Sequence, residues 1–293
     1  VQLVETDIRS DLSKSWVIRG NTHDNRDWLQ SAPCCPQLEK YQVLHLGVAI
    51  MPAPFHIVRT NLGGSYFLAS LEGEGRVLVD GKWVAAVPGQ AVLLPPRTLN
   101  AFFTPTGMTW KFCWIRYLEG EGQAPIAKAS SPVIAQYRGE ALENAILGLW
   151  HESSGERTPR MVDEWVHLVH AYAQRFASPE KSDPRLALVW KTVSQALERP
   201  WTVHELAAMM HVSEKQFQRL CHKELGRSPQ QQLMWLRMRR AAEMLGERNR
   251  KISSVAMAVG YRNPFVFSST FKRILGWSPS EYAGRLRGET SNR

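Results

Sequence analysis

The chain is poor in the residues that build disulfide and metal centres. It has four cysteines in 293 residues (Cys34, Cys35, Cys113 and Cys221), with no Cys-x-x-Cys spacing among them. Adjacent cysteines do not pair in ordinary disulfide geometry, so the sequence predicts reduced thiols in a cytoplasmic chain and excludes a disulfide framework or a zinc finger. No apolar run approaches the roughly 18 residues needed to cross a bilayer. Residues 1–11 are charged early, so neither a membrane partner nor a signal peptide is expected. Acidic residues are scarce in the last third. Residues 184–293 hold 19 Lys and Arg against 8 Asp and Glu, a net of +11 in a chain of +9, which leaves −2 for the remainder. That asymmetry is the footprint of a polyanion-binding module joined to a neutral or mildly acidic unit.

Residues 41–119 read as β structure. β-rich runs at 43–50, 55–60, 66–71, 76–79, 91–94 and 110–118 are punctuated by Gly and Pro turns, and Asp80–Gly81 is a strong hairpin signal. Short strands at this spacing predict a sandwich or barrel. From residue 139 the period becomes helical: 141–150 and 161–176 carry apolar residues at i, i+3, i+4 spacing. The polar stretch 178–184, with two prolines, reads as a linker. The organisation expected is therefore an α+β, two-domain chain: a β-sandwich or β-barrel unit over 1–137, a helical segment over 138–177, a linker over 178–184, and an all-α unit over 185–293.

The all-α unit contains one pattern twice. Ala207, Ser213, Phe217, Leu225, Gly226, Ser228 and Pro229 return as Ala256, Asn263, Phe267, Leu275, Gly276, Ser278 and Pro279. The Gly and Pro positions repeat after 50 residues and the Ala after 49, so the second copy has one extra residue at its internal turn. In the first copy Thr202 and Glu205 form a capping-box pattern and Ser213 caps a second helix. In the second copy Gly260 permits the turn, Asn263 caps and Pro264 suits the first helical position. Each copy reads as a helix-turn-helix whose second helix buries Phe217, or Phe267 and Phe271, and turns donors outward. A helix over 229–245 joins the copies and fixes one against the other. Of its Arg237, Arg239 and Arg240, at least one is expected to be a structural salt-bridge partner, and His211 reads as a turn residue.

The second copy, from Ile252 through Gly260, Phe267, Phe271 and Gly276 to Pro279 and Tyr282, resembles the signature of AraC/XylS-type transcription regulators, and the resemblance covers about residues 187–286. It implies a double helix-turn-helix on double-stranded promoter DNA. The DNA-binding candidates are Ser213, Lys215, Gln216, Gln218, Arg219, His222 and Lys223 in the first copy, and Arg262, Asn263, Phe265, Ser268, Ser269 and Lys272 in the second. Arg219 matches a base-contacting Arg of the family. The second copy departs from the family pattern, with Ser269 where Arg is common and apolar Phe265 at a base-contact position. Phe265 then either touches a thymine methyl or leaves the second copy to phosphates.

The β region, from Leu71 through Gly81 and Gly89 to Trp110 and Trp114, is similar to the cupin-type effector domain of many members. Strict alternation puts Trp110, Phe112, Trp114 and Arg116 on one face. The resemblance to sugar-sensing members places Glu72, Phe102, Phe112 and Trp114 at ligand, and Arg59 and Tyr66 join them as polar candidates. The same aromatics would equally fill a small barrel. Catalytic cupins need several histidines and a carboxylate, yet no histidine occurs between His56 and His151, so no metal, no cofactor and no enzyme activity are expected. The resemblance implies a cupin-like β-barrel and suggests that a helix of the 138–177 segment serves dimerisation by pairing with its copy in a second chain, with Trp165, Leu168 and Tyr172 as candidates, the other placement being packing against their own barrel. The reading is a cytoplasmic bacterial transcription regulator, a homodimer that responds to a small polar, sugar-like effector, with RNA polymerase as a further possible partner. Beside it stand a constitutive DNA-binding regulator with a purely structural barrel and a metal-dependent cupin enzyme.

Overall fold

The computed structural model describes residues 5–286 except 25, 61–62, 120–125, 180–182 and 247–249. The expected linker at 178–184 and the turn after Gly246 fall partly outside the described residues. Elements follow in the order β1 (Thr6–Ile8), β2 (Lys14–Arg19), a single-turn α1 (Asp27–Gln30), β3 (Val43–Pro52), β4 (Phe55–Arg59), β5 (Tyr66–Gly73), β6 (Gly75–Val79), β7 (Lys82–Ala86), β8 (Gln90–Leu94), β9 (Asn100–Thr104), β10 (Thr109–Tyr117) and β11 (Ile134–Gln136). Then come α2 (Glu140–Ser154), α3 (Pro159–Ala177), α4 (Pro184–Gln195), α5 (Val203–Ala208), α6 (Glu214–Leu225), α7 (Pro229–Gly246), α8 (Ile252–Ala258), α9 (Pro264–Leu275) and α10 (Pro279–Leu286).

The strands form two sheets, ordered β1-β4-β9-β6-β7 and β11-β8-β5-β10-β3-β2. This corrects the expectation of a closed barrel. Among the described residues no ladder joins the edge strands, so the sheets meet through side chains rather than by hydrogen-bonded closure. Strand β10 has both faces buried, and the alternation sorts them. Trp110, Phe112 and Trp114 enter the core between the sheets, whereas Cys113, Ile115 and Tyr117 enter a core under α2 and α3. Those helices therefore bury their apolar stripes, including Leu142, Ile146, Val166 and Val169, on the six-stranded sheet of their own chain.

The repeat in the sequence is a repeat of structure. Thr202 and Glu205 complete the capping box of α5, Ser213 Oγ accepts from the Gln216 amide at the start of α6, and Asn263 Oδ1 accepts from the Phe265 and Val266 amides at the start of α9. The tight turns use left-handed backbone at His211 (φ 55°) and Gly260 (φ 83°), 49 residues apart in the two copies. The shared Gly-x-Ser-Pro ends one helix and begins the next. Gly226 (φ 69°) and Gly276 (φ 95°) close α6 and α9 in the left-handed conformation that glycine adopts at least cost. Ser228 with Gln231, and Ser278 with Glu281, then make reciprocal bonds that open α7 and α10.

The helical unit packs against the β unit. Its core includes Val58, Leu99 and Ala101 from β4 and the stretch into β9. The last carbonyl of each second helix accepts a β-unit amide: Leu225 O from Val133 N (2.9 Å) and Leu275 O from Leu99 N (3.2 Å). Tyr282 Oη donates to Arg97 O, and Arg227 pairs with Asp80. A cavity of about 140 Å³ lies at this seam, walled by Arg97, Glu119, Trp235, Arg239 and Leu275.

Candidate nucleic-acid interface and ligand cavity

Helix α6 buries Phe217, Cys221 and Leu225. The 3.6-residue period then turns the opposite side to solvent, where Lys215, Gln216, Gln218, Arg219, His222 and Lys223 are all exposed. The structure thus brings these six candidates to one donor-rich side of the helix, with Ser213 serving as its cap. Helix α9 buries Phe267, Phe271, Ile274 and Leu275 and exposes Arg262, Phe265, Ser269 and Lys272 at and along it. Phe265 is 85% exposed, far too open for a packing role. Asn263 is engaged as the cap, Ser268 is half-buried, and Ser269 Oγ donates to Val266 O.

The connecting helix α7 packs on α6, α8, α9 and α10. The ion pairing expected of at least one of its arginines is made by Arg239 and Arg240, both with Glu243, while Arg237 is held by carbonyls: its Nε donates to Leu197 O (2.9 Å) and its Nη2 to Arg199 O (2.8 Å). Arg240 bonds Glu243 one turn along. Two exposed second helices on one buried connector can present donors to two segments of a duplex without either moving independently.

The ligand candidates of the β unit fall into two groups. Arg59, Tyr66, Phe102, Phe112 and Trp114 line one cavity between the sheets, together with Arg9 and Trp28. Glu72 lies apart. The ladder between β5 and β10 shifts register between Lys111 and Phe112, which sets Glu72 opposite Lys111. There its largely exposed carboxylate accepts from Lys111 Nζ at 2.8 Å. The free space in the cavity is about 20 Å³, room for one water molecule (~10–15 Å³ is the minimum). As it stands the aromatics fill most of the space between the sheets.

Trp28, on α1, forms part of the cavity wall. Its ring lies under the guanidinium groups of Arg9 (4.2 Å) and Arg26 (5.0 Å) and meets His45 and Trp114 edge-on. His45 is buried, and its Nδ1 accepts from Trp114 Nε1 at 3.0 Å. Burial first, then the positive charges of Arg26, Arg116, Arg59 and Arg9, hold the His45 pKa well below the usual imidazole range, so the ring is neutral. Arg116 is buried on carbonyls of Gly63, Gly64 and Ser65 and stacks on Tyr66. The sequence pointed to Arg59 and Tyr66. It did not single out Arg9 and Arg26, whose only signal is charge in a stretch that precedes the sheets.

The dimerisation candidates are mostly engaged within the chain. Trp165 packs on Gly148 of α2, and Tyr172 lies under Arg175 while its carbonyl accepts from Tyr137 Oη. Leu168 and neighbouring Met161 remain exposed. Among the described residues no three His, Cys, Asp or Glu side chains are placed to hold a metal ion, and no helix is long and apolar enough to cross a membrane.

Comparison with known proteins places these features among regulators. A family profile for a helix-turn-helix domain matches residues 206–285. The RCS-specific HTH-type transcriptional activator RclR of Escherichia coli is 36% identical over 107 residues, a match that covers 36% of this chain and 37% of that regulator's length. The lactose operon transcription activator of Staphylococcus xylosus is 33% identical over 227 residues, covering 72% of this chain and 80% of the relative. Among solved structures, an AraC-type DNA-binding-domain regulator from Chromobacterium violaceum is 24% identical with a TM-score of 0.34, covering 38% of this chain and 96% of that one.

Proposed function

Because the chain belongs to the AraC/XylS-type family of transcription regulators, we propose that it binds promoter DNA sequence-specifically through α6 and α9 and answers to a small, polar, sugar-like effector held by the β unit. The observation that carries the DNA half is the exposed side of α6. Arg219, Lys215 and Lys223 suit guanine edges or phosphates, and Gln216 and Gln218 suit adenine. Helix α9 works differently: Phe265 offers an apolar contact to a thymine methyl, with Arg262 and Lys272 on the backbone. The chain acts as a regulator rather than an enzyme, in the cytoplasm and as a homodimer. Leu168 and Met161 form the part of α3 still free to meet a second copy, and RNA polymerase is the partner through which promoter binding acts.

The effector half is supported by the cavity that gathers Arg59, Tyr66, Phe102, Phe112 and Trp114 and by the name of the lactose operon activator. A sugar-sized molecule needs more room than the present cavity of about 20 Å³, so its binding moves part of the wall. Cavity and seam share the same strands: Arg59 adjoins Val58, and Phe102 lies three residues from Leu99, whose amide holds Leu275 O. A ligand with different affinity for two settings of these strands shifts how the helical unit is held, and DNA shifts ligand affinity in return. The test is a thermal-shift screen against mono- and disaccharides, repeated on Trp114→Ala with DNA affinity measured alongside. The reading expects a stabilising hit that Trp114→Ala abolishes while DNA affinity stays. Loss of DNA affinity with the ligand response intact would sink it.

A further inference from the structure

We propose that the molecule taken by the β-unit cavity carries a carboxylate, so that the site selects sugar acids over their neutral counterparts; the inference rests on the effector reading above. The argument is a count of donors and acceptors. Of the ten residues that line the cavity, the two charged ones, Arg9 and Arg59, are both cations, and the Tyr66 hydroxyl is the only side-chain oxygen. Arg59 is buried. Its Nη2 bonds Asp7 and its Nη1 reaches Glu5 and Thr6 O, yet its buried Nε has no hydrogen-bond partner among the described residues. Trp28 Nε1 is likewise buried and unpartnered.

His45 and Arg26 stand behind the ten lining residues, His45 against the rings of Trp28 and Trp114, and they too meet as donors. An indole nitrogen only donates, so Nδ1 is the acceptor in the bond from Trp114 and the proton of the neutral ring sits on Nε2. That Nε2–H faces Arg26 Nη2 at 3.2 Å, donor against donor. The acids nearby are already taken, Asp7 by Arg9 and Arg59 and Asp24 by Arg26. Neither lines the cavity. A buried donor without an acceptor costs about 1–3 kcal/mol, and each hydroxyl of a neutral sugar offers acceptor lone pairs but adds a new donor along with them. A carboxylate brings acceptors only and forms the stronger, charge-assisted bonds to guanidinium. Replacing one hydroxymethyl by carboxylate therefore corrects the imbalance that these walls create.

Isothermal titration of the full chain with glucuronate against glucose, and galacturonate against galactose, tests this. The acid of at least one pair is expected to bind about tenfold or more tightly than its neutral partner. Arg59→Lys keeps the charge but lacks the Nε–H, and Trp28→Phe keeps a ring but lacks the indole donor. Each is expected to weaken acid binding severalfold, with melting curves confirming that the variant folds. Neutral sugars binding as tightly as the acids would overturn the carboxylate assignment and leave the effector reading standing. No binding by any of the four would overturn both. Acid binding untouched by both substitutions would overturn the assignment by placing the acid elsewhere, with the seam cavity the next site to probe.

Discussion

Arg227 and Asp80, 147 residues apart in the chain, meet in a two-pronged ion pair: Nε to Oδ2 at 2.6 Å and Nη2 to Oδ1 at 2.8 Å. Arg227 fills the variable position of the first Gly-x-Ser-Pro, and Asp80 sits in the β6–β7 hairpin at φ 50°. The guanidinium also stacks on Trp235, and its side chain is only 4% exposed. Such a pair adds little over apolar packing, but removing one partner strands a buried charge. Asp80→Asn, which tolerates the left-handed backbone, is expected to destabilise the chain by about 3 kcal/mol. Urea titration checks this, and Arg227→Met in the same chain is expected to restore much of the loss. An unchanged midpoint in the single variant would contradict the argument.

The two second helices should respond differently to truncation. Arg219→Ala is expected to cost roughly 1–3 kcal/mol of DNA affinity and to relax preference at one base position. A loss of equal size on every sequence would make Arg219 a phosphate contact. Phe265→Ala is expected to leave folding stability within about 0.5 kcal/mol, since the ring is exposed, and to weaken preference for thymine at one position. Binding selections on randomised sites, run with both variants, read out each effect.

Acid should loosen the region where α3 meets the sheet. Burial, with a smaller push from His167, takes the His170 imidazole from 6.5 down to about 4. Its ring stacks on Tyr41 (4.1 Å), and its Nδ1 lies 3.3 Å from Tyr117 Oη. Because the folded value is the lower one, the unfolded chain binds more protons between these limits. The contribution of this group is therefore full above pH 6.5 and is lost as pH falls towards 4. His45, depressed in the same direction, adds to that slope. Melting temperature against pH is expected to fall across this window, and less steeply for His170→Phe.

The helical unit was legible because its cues are local. Caps at Thr202, Ser213 and Asn263 and glycines at 226 and 276 act within a few residues, so the sequence states them and the structure repeats them. The second half of the terminator was less visible. Ser228 and Ser278 open the following helices, which becomes plain only when Gln231 and Glu281 are seen to reach back. The β unit was half legible. Long buried strands such as β3, β5 and β10 showed their period, but β1, β2, β9 and β11 are short or polar and depend on partners far along the chain. The position of Glu72 outside the cavity has the same cause, a register shift set between strands rather than within one. Arg9, Arg26 and Trp28 reach the cavity from a stretch that carries no periodicity.

The two amides that meet Leu225 O and Leu275 O give the molecule a particular handle. A helix leaves its final carbonyls without internal partners, and here the β unit supplies a donor to one of them in each second helix, at the same point of the repeat. Both helices are thus gripped by the tail with their heads left free. Leu99 at the β8–β9 corner holds one tail and Val133, just before β11, holds the other, so the β unit bears at two separate points on a pair of helices that α7 already holds together. Letting go is also a matter of degree: each tail freed leaves one carbonyl to water, and the apolar ground around Leu99 and Trp235 opens with it.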